Sequence, residues 1–270
     1  MDAIMSVERI SFGYSADNPV LENVSFSVSR GEILCVIGRN GCGKSTMIDV
    51  LTGIRKPFGG DIALKGRPLR DYKTKELAQN VAVVYQEEPA VFPYKVIDVV
   101  KLGRSPYVSA FGAPTKQDEL IADDALNRLG LSHLRDRTYT EISGGERQMV
   151  LIARAIAQQA DLVIMDEPTS HLDFRNQAIV MKAAHELATK GDKAVVMTTH
   201  SPEQALLYPS TSILLHKGTV LDYGASKDVV SEENLSKVYA MRVKVGQFAD
   251  SQGSSTLSAC APDVENIWEE

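Results

Sequence analysis

Residues 38–46 read GRNGCGKST. It matches G-x-x-x-x-G-K-[ST], the pattern of a phosphate-binding loop. The preceding residues 32–37 (EILCVI) are apolar after the first, which is typical of a strand covered on both faces, and residues 45–51 suit a helix. A strand, a glycine-rich loop and a helix in this order predict that backbone N–H groups and the helix N-terminus hold phosphates.

The chemistry of ATP explains the residue types in this loop. Its glycines let the backbone curl until successive N–H groups point at phosphate oxygens. Lys44 is expected to place a positive charge between the phosphates, and Ser45 is expected to offer its hydroxyl to Mg²⁺. The nucleotide-binding residues predicted here are Gly38, Asn40, Gly41, Cys42, Gly43, Lys44, Ser45 and Thr46.

A second acidic element lies further along the chain. Residues 162–167 read LVIMDE, so four apolar residues deliver Asp166 and Glu167 to the carboxyl end of a predicted strand. Ligands of open α/β sheets bind at that edge. We expect Asp166 to hold magnesium and Glu167 to accept a proton from the water that attacks ATP.

The remaining chain predicts an α/β fold. Strands are expected at residues 4–10, 20–28, 61–64, 81–85, 162–165, 194–199 and 212–215. Helices are expected at residues 96–102, 116–129, 146–158, 175–189 and 202–207. Alternating strands and helices predict a mainly parallel sheet flanked by helices, with a helical insert over about residues 89–160. The Ser-rich, acidic stretch from Asp250 predicts weak order with one short strand.

Composition limits the possible classes of function. The net charge of -6 and the pI of about 5.5 argue against a nucleic-acid partner. The sequence contains no run of 18 or more apolar residues, so it predicts no membrane-spanning helix. The N-terminus lacks a signal-peptide pattern, and we therefore expect a cytoplasmic protein. The three cysteines show no metal-ligand spacing and suggest reduced thiols.

Five further pieces occur in a definite order around these two motifs. Tyr14 lies in SFGY, Gln86 follows VAVVY, and His200 follows AVVMTT. Residues 143–148 read SGGERQ, and residues 168–173 read PTSHLD. The whole set resembles the ATP-binding subunit of ABC transporters, and the resemblance extends to about residue 245.

The resemblance implies roles for single residues. Tyr14 is similar to the aromatic residue that stacks on adenine. Gln86 is similar to the glutamine that contacts the Mg²⁺ and water site and begins the coupling segment. His200 resembles the histidine that contacts the γ-phosphate, and Asp173 resembles the aspartate that links two sites across a dimer.

The signature of this family implies a second copy of the chain. Ser143, Gly144 and Gly145 match the loop that closes on the γ-phosphate held by the opposite subunit, which implies a homodimer with two ATP molecules at its interface. Two positions depart from the usual pattern, because Ile142 replaces leucine and Glu146 replaces glutamine. Both replacements keep the character of the site, since isoleucine is apolar and glutamate suits the first turn of a helix.

The same resemblance implies an organisation for the chain. Residues 1–245 are expected to form the ABC ATPase domain, with the helical subdomain of about residues 89–160 inserted, and residues 246–270 to form a tail. The fold implied is a P-loop NTPase core with a mainly parallel sheet flanked by helices and an N-terminal antiparallel β subdomain.

Three stretches narrow the transporter class. Residues 95–107 contain VIDVVKLGRSPY, residues 166–177 read DEPTSHLDFRNQ, and residues 217–224 read KGTVLDYG. They resemble importers of metal chelates, which handle iron-siderophores, haem, cobalamin or, in some members, molybdate or tungstate. This implies separate polytopic permease subunits, an indirect partnership with a substrate-binding protein, and a peripheral location on the cytoplasmic face of the membrane. Residues 89–106 are expected to receive a permease helix.

Two other functions share the ATPase motifs. One is a soluble ABC-type ATPase of DNA repair, chromosome structure or translation, and the other is a scaffold of iron–sulfur cluster assembly. Long coiled-coil insertions, zinc-ligand cysteines, paired ATPase halves or basic patches would mark the soluble ATPases, and the sequence lacks them. Co-purification with a polytopic membrane protein would separate transport from both alternatives.

Overall fold

The computed structural model describes residues 3–15, 18–86, 92–109, 112–208, 210–249 and 256–264. Its strands are β1 (Ala3–Ser15), β2 (Asn18–Ser29), β3 (Ile33–Ile37), β4 (Gly59–Leu64), β5 (Arg67–Pro68), β6 (Val81–Val84), β7 (Leu162–Met165), β8 (Ala194–Thr199), β9 (Thr211–His216), β10 (Thr219–Ala225), β11 (Val243–Ala249) and β12 (Thr256–Pro262). Its helices are α1 (Lys44–Leu51), α2 (Thr74–Asn80), α3 (Val96–Lys101), α4 (Lys116–Arg128), α5 (Gly144–Gln158), α6 (Phe174–Thr189), α7 (Pro202–Leu207), α8 (Ser226–Val229) and α9 (Glu232–Tyr239).

Two sheets carry most of the strands. The core sheet has the order β10-β9-β3-β8-β7-β6, in which β10 pairs antiparallel with β9 and the other neighbours are parallel. An antiparallel sheet of order β2-β1-β4-β5 comes from the N-terminal part of the chain. The α/β fold with a mainly parallel core sheet and an N-terminal antiparallel sheet, predicted from the sequence, is confirmed.

Strand β3 lies between two hydrophobic clusters. Ile33, Cys35 and Ile37 pack into the cluster that includes the helical segment, whereas Leu34 and Val36 pack against residues of the N-terminal sheet and α1. All five residues of β3 are buried. The unbroken apolar run of the sequence thus covers both faces of a central strand, which fixes the loop that follows it at the edge of the sheet.

Along the chain, helices α3, α4 and α5 come after β6 and before β7. This is the segment in which the sequence predicts a helical insert. A 3₁₀ turn over Leu102–Tyr107 brings Gly103 so close to α5 that a Cβ atom would lie 2.2 Å from the Arg154 carbonyl oxygen. Only glycine fits this approach. The glycine of the KLGRSPY stretch is therefore explained by helix packing.

Arg104 joins three parts of this helical segment. Its Nε donates to Asp118 Oδ1 of α4 at 2.9 Å, and one of its terminal nitrogens donates to the Ala157 carbonyl oxygen of α5 at 2.9 Å. The hydrogen bond from Arg104, together with bonds from Thr115, lowers the pKa of Asp118 to about 2. Both charged side chains are buried, so each depends on its partner.

The C-terminal part contains the one short strand expected after Asp250, which is β12, and one strand that was not predicted, which is β11. Strands β11 and β12 form an antiparallel hairpin, and Cys260 of β12 packs against the core beside α7. The boundary expected at residue 245 falls inside β11, and the division into domains stays a prediction. Strand β10 and the short helices α2, α8 and α9 were also missed. Within the described ranges, no helix has the length and apolar character needed to cross a membrane.

The Arg104 contacts give a testable consequence for stability. Arg104→Met leaves Asp118 buried and unpaired, so we expect the free energy of unfolding to fall by about 3–5 kcal/mol. The matched control is Arg128→Met, which removes an exposed pair with Asp124 within α4 and should cost at most about 0.5 kcal/mol. Urea unfolding measures both values. Equal losses in the two variants would contradict the structural role of Arg104.

Candidate functional site

Three loops meet at one edge of the core sheet. Strand β8 pairs in parallel with β3 on one side and with β7 on the other, so the carboxyl ends of all three strands share an edge. The loops that follow carry Lys44, Glu167 and His200. The Gly38 N–H donates to the Thr199 carbonyl oxygen at 3.3 Å and ties the first loop to β8. This is the sheet edge at which the sequence predicts a ligand site.

The glycine-rich loop depends on two of its glycines for shape. Gly43 has a φ of 108° immediately before α1, a conformation that residues with a Cβ atom rarely adopt. At Gly38, a Cβ atom would lie 2.6 Å from the Leu215 carbonyl oxygen of β9. The loop therefore turns tightly into the helix, with Lys44 as the first helical residue.

Lys44 is a buried charge with three partners. Its Nζ donates to the carbonyl oxygens of Gly38 at 2.8 Å and Arg39 at 3.3 Å. The same nitrogen lies 3.2 Å from Glu167 Oε1, and the side chain is only 5% exposed. Because an isolated ammonium is costly to bury, this position of Lys44 requires an anion, and Glu167 supplies it.

Glu167 joins the loop after β7 to the loop after β8. Its Oε2 lies 2.8 Å from His200 Nδ1. Burial raises the pKa of Glu167, but the hydrogen bond with His200 and the charge of Lys44 outweigh it and hold the pKa below the ordinary value. The residue has a φ of 43°, an uncommon backbone conformation for a side chain of this size. The carboxylate is ionised at neutral pH and faces both neighbouring loops.

Thr198 of β8 holds the acidic pair and was missed in the sequence. Its hydroxyl donates to Asp166 Oδ1 at 2.6 Å and accepts the Glu167 N–H at 2.9 Å. Thr198 and Asp166 are both buried. The available indication was a threonine at the polar end of the apolar run AVVMTT, which alone does not reveal its partners.

Two cavities open at this edge and share Asn40, Gln86 and Glu167 in their walls. The first, of about 270 Å³, is also lined by Val20, Gly41, Gly43, Lys44, Ser45 and Thr46. The second, of about 330 Å³, is also lined by Thr169, Ser170, His171, Gln177, His200, Ser201 and Gln204. Most of the predicted phosphate and catalytic residues therefore line two neighbouring cavities.

Tyr14 lies beside the helix that follows the loop. Its hydroxyl is 3.4 Å from Thr46 Oγ1, its ring meets Phe12 edge to face, and the side chain is 66% exposed. The Arg55 guanidinium lies 5.5 Å from the ring centroid. An exposed aromatic ring at the mouth of a phosphate site can stack on a base, and sequence analysis overlooked the cation next to it.

Cys42 has a different place from the one expected. Its side chain is buried in the cluster between the two sheets, and its N–H already donates to the Arg39 carbonyl oxygen at 3.2 Å. It is absent from the walls of both cavities. The loop turns this thiol towards the core, and a contact between Cys42 and nucleotide stays a prediction.

The predicted signature residues lie apart from these cavities. Ser143 caps α5 with Glu146, whose Oε2 accepts both the N–H and the hydroxyl of Ser143 at 2.8 Å. These hydrogen bonds lower the pKa of Glu146. Ser143 and Gly144 are exposed, and none of residues 143–145 lines either cavity in the described part of the chain.

Asp173 is also directed away from the two cavities. Its Oδ1 accepts the Asn176 N–H at 2.7 Å and caps α6, and the residue is exposed. The next residue, Phe174, is 89% exposed. The structure thus brings the loop residues, Gln86, Glu167 and His200 together, and places the signature and Asp173 on the surface.

Comparisons with known proteins agree with this geometry. A family model described as ABC transporter matches residues 21–170. The chain is 38% identical over 239 residues to the molybdate import ATP-binding protein MolC of Haemophilus influenzae, covering 88% of this chain and 89% of that protein. It is 36% identical over 242 residues to the hemin import ATP-binding protein HmuV of Thermobifida fusca, covering 90% and 84% of the two chains.

A solved structure supports the same assignment over nearly the whole chain. It is an ABC transporter of proposed metal-chelate type in an inward-facing conformation, with a TM-score of 0.85 and 35% sequence identity. The match covers 97% of this chain and 98% of that one. The present chain therefore belongs to the ABC transporter family and is one of its ATP-binding subunits.

Proposed function

We propose that this subunit hydrolyses ATP to drive the import of a metal chelate or a metal oxyanion through a separate membrane permease. The observation that carries the ATPase part is Glu167, whose carboxylate lies between Lys44 and His200. The substrate class rests on the relatives, which are named for import of molybdate, hemin and iron(3+)-hydroxamate.

The contacts of Lys44 support a specific sequence of events. The phosphates of ATP carry more negative charge than one carboxylate, so they displace Glu167 as the partner of Lys44. Losing this cation raises the pKa of Glu167 and makes its carboxylate a stronger base. Glu167 then accepts a proton from water as the water oxygen attacks the γ-phosphorus and the bond to ADP breaks. His200, at 2.8 Å from the carboxylate, orients the base and reaches the γ-phosphate.

The residues present fit a magnesium ion. Asp166 has a buried carboxylate that accepts the Thr198 hydroxyl and lines neither cavity, whereas Ser45 and Gln86 line the first cavity. All three side chains carry an oxygen atom, the ligand type that Mg²⁺ prefers. The described residues contain no cluster of three His, Cys, Asp or Glu side chains suited to a metal. Mg²⁺ is commonly held by one or two carboxylates together with substrate phosphates, so this sparse set is sufficient. An Mg²⁺ ion held by these residues would neutralise charge on the phosphate oxygens.

The adenine end of ATP is assigned to Tyr14. The ring is exposed beside α1, and the Arg55 guanidinium contacts it. Stacking on an aromatic face tolerates different bases, so Tyr14 contributes affinity more than selectivity.

We further propose that the functional unit contains two copies of the chain. Ser143, Gly144 and Gly145 begin a helix and suit an anion, yet they line neither cavity beside Lys44. In a two-fold dimer, the signature of one copy faces the phosphate loop of the other. Phe174, beside Asp173, is 89% exposed and offers an apolar contact to a partner on this face.

The permease is proposed to dock on the start of the helical insert, with the subunit at the cytoplasmic face of the membrane. Residues 89–106 were expected to form this groove, and the first three of them lie outside the described residues. Phe92, Tyr94 and Leu102 are each more than half exposed. Phe92 and Tyr94 are exposed aromatic residues that follow Gln86 closely in the sequence. They support a docking surface that is coupled to the ATP site.

The base assignment predicts the effect of Glu167→Gln. We expect ATP binding to persist and kcat for ATP hydrolysis to fall about 10²–10⁴-fold, because the amide cannot accept the proton. Glu186→Gln is the matched control, since Glu186 is on the surface of α6 beside Lys190. Phosphate release measures both rates, and undiminished turnover in Glu167→Gln would refute the assignment.

A site shared between two copies predicts that two differently inactivated chains regain ATP hydrolysis when they form a mixed dimer. Lys44→Ala disables the phosphate loop, and Ser143→Arg disables the signature. In a two-fold dimer that pairs one chain of each kind, one site carries both defects and the other is intact, so about half of wild-type hydrolysis should return. Two affinity tags isolate the mixed dimer for this measurement. If each chain formed its whole site alone, the mixed dimer would be as inactive as its parents.

A further inference from the structure

One side-chain oxygen connects the loop of Glu167 to the loop of His200. Gln204 lies in α7 and is buried. Its Oε1 accepts the hydroxyl of Thr169 at 2.9 Å and the hydroxyl of Thr199 at 2.9 Å. An amide oxygen has two lone pairs, so these two bonds use its full capacity.

The two threonines stand next to the reacting groups. Thr169 follows Glu167 by two residues, and Thr199 directly precedes His200. Both threonines are buried, with exposures of 3% and 2%. Thr199 Oγ1 also accepts the Ser201 N–H at 3.0 Å, which fixes the backbone on the far side of His200. The oxygen of Gln204 therefore bridges the two loops through buried hydrogen bonds, in addition to the direct bonds of Thr198.

The contact between Glu167 and His200 requires such a restraint. His200 is half exposed, and the left-handed backbone of Glu167 persists only where its surroundings hold it. Tyr239 restrains the other side of the histidine loop, because its hydroxyl donates to the His200 carbonyl oxygen at 2.8 Å. Gln204 lies in the wall of the cavity that Glu167 and His200 also line.

We propose that Gln204 is a positioning residue for ATP hydrolysis, which holds Glu167 and His200 in register through Thr169 and Thr199. The proposal rests on the proposed function, in which Glu167 is the base. Gln204 contributes no proton transfer of its own. Its effect is on the relative positions of Glu167 and His200. Loss of Gln204 should therefore slow the chemical step, while the residues that bind the phosphates keep their positions.

The test uses the full-length chain and steady-state ATP hydrolysis. Gln204→Met keeps the size of the side chain and removes the acceptor, so kcat should fall about 10–100-fold while KM for ATP changes less than about twofold. Gln204→Glu retains an acceptor oxygen for both hydroxyls and should recover kcat to within about threefold of wild type. Gln79→Met, which removes an amide contact to the Pro106 carbonyl oxygen, is the control and should leave kcat unchanged.

A second comparison separates positioning from general damage. Thr169→Val removes one donor, and adding it to Gln204→Met should cause little further loss of kcat, because both changes break the same bond. The proposal is overturned if Gln204→Met keeps full kcat, if Gln204→Glu is as slow as Gln204→Met, or if the two losses simply multiply. If kcat falls in Glu167→Gln but stays at the wild-type value in Gln204→Met, the positioning role of Gln204 is refuted and the assignment of Glu167 as the base stands. Full turnover in Glu167→Gln would remove the proposed function itself.

Discussion

The ion pair between Lys44 and Glu167 is the interaction on which the site depends. Both side chains are nearly buried, with exposures of 5% and 10%, so neither charge is tolerable without the other or without a replacement anion. The order of the strands brings them together, because β8 lies between β3 and β7 in the sheet. A ligand that carries phosphate charge can replace the carboxylate, and the released carboxylate is then free to act on water.

The same geometry is the basis for the proposal that one copy of the chain forms only part of the site. Lys44, Ser45 and Glu167 line their cavity from one side, whereas the capped start of α5 at Ser143 faces elsewhere. The replacement of glutamine by Glu146 fits this cap, because its carboxylate accepts two hydrogen bonds from Ser143. These two hydrogen bonds cap the start of α5 within a single chain.

Local patterns predicted the central elements well and the contacts between loops poorly. Strands β7 and β8 end where the sequence places them, because their apolar runs stop sharply at Asp166 and His200. Strands β10 and β11 were missed, since half-exposed alternating segments depend on their neighbours for stability. Cys42, Thr198 and Gln204 owe their places to packing between segments far apart in the chain, which no single stretch of sequence encodes.

The most direct measurement is the molecular mass in solution of the full-length Glu167→Gln chain, determined by sedimentation equilibrium with ATP and Mg²⁺ and again with ADP. A shared site requires that ATP closes two phosphate loops against two signatures. It predicts a mass near twice that of one chain with ATP, and a mass near that of one chain with ADP. A chain that binds ATP and remains single would contradict the claim that the site is shared.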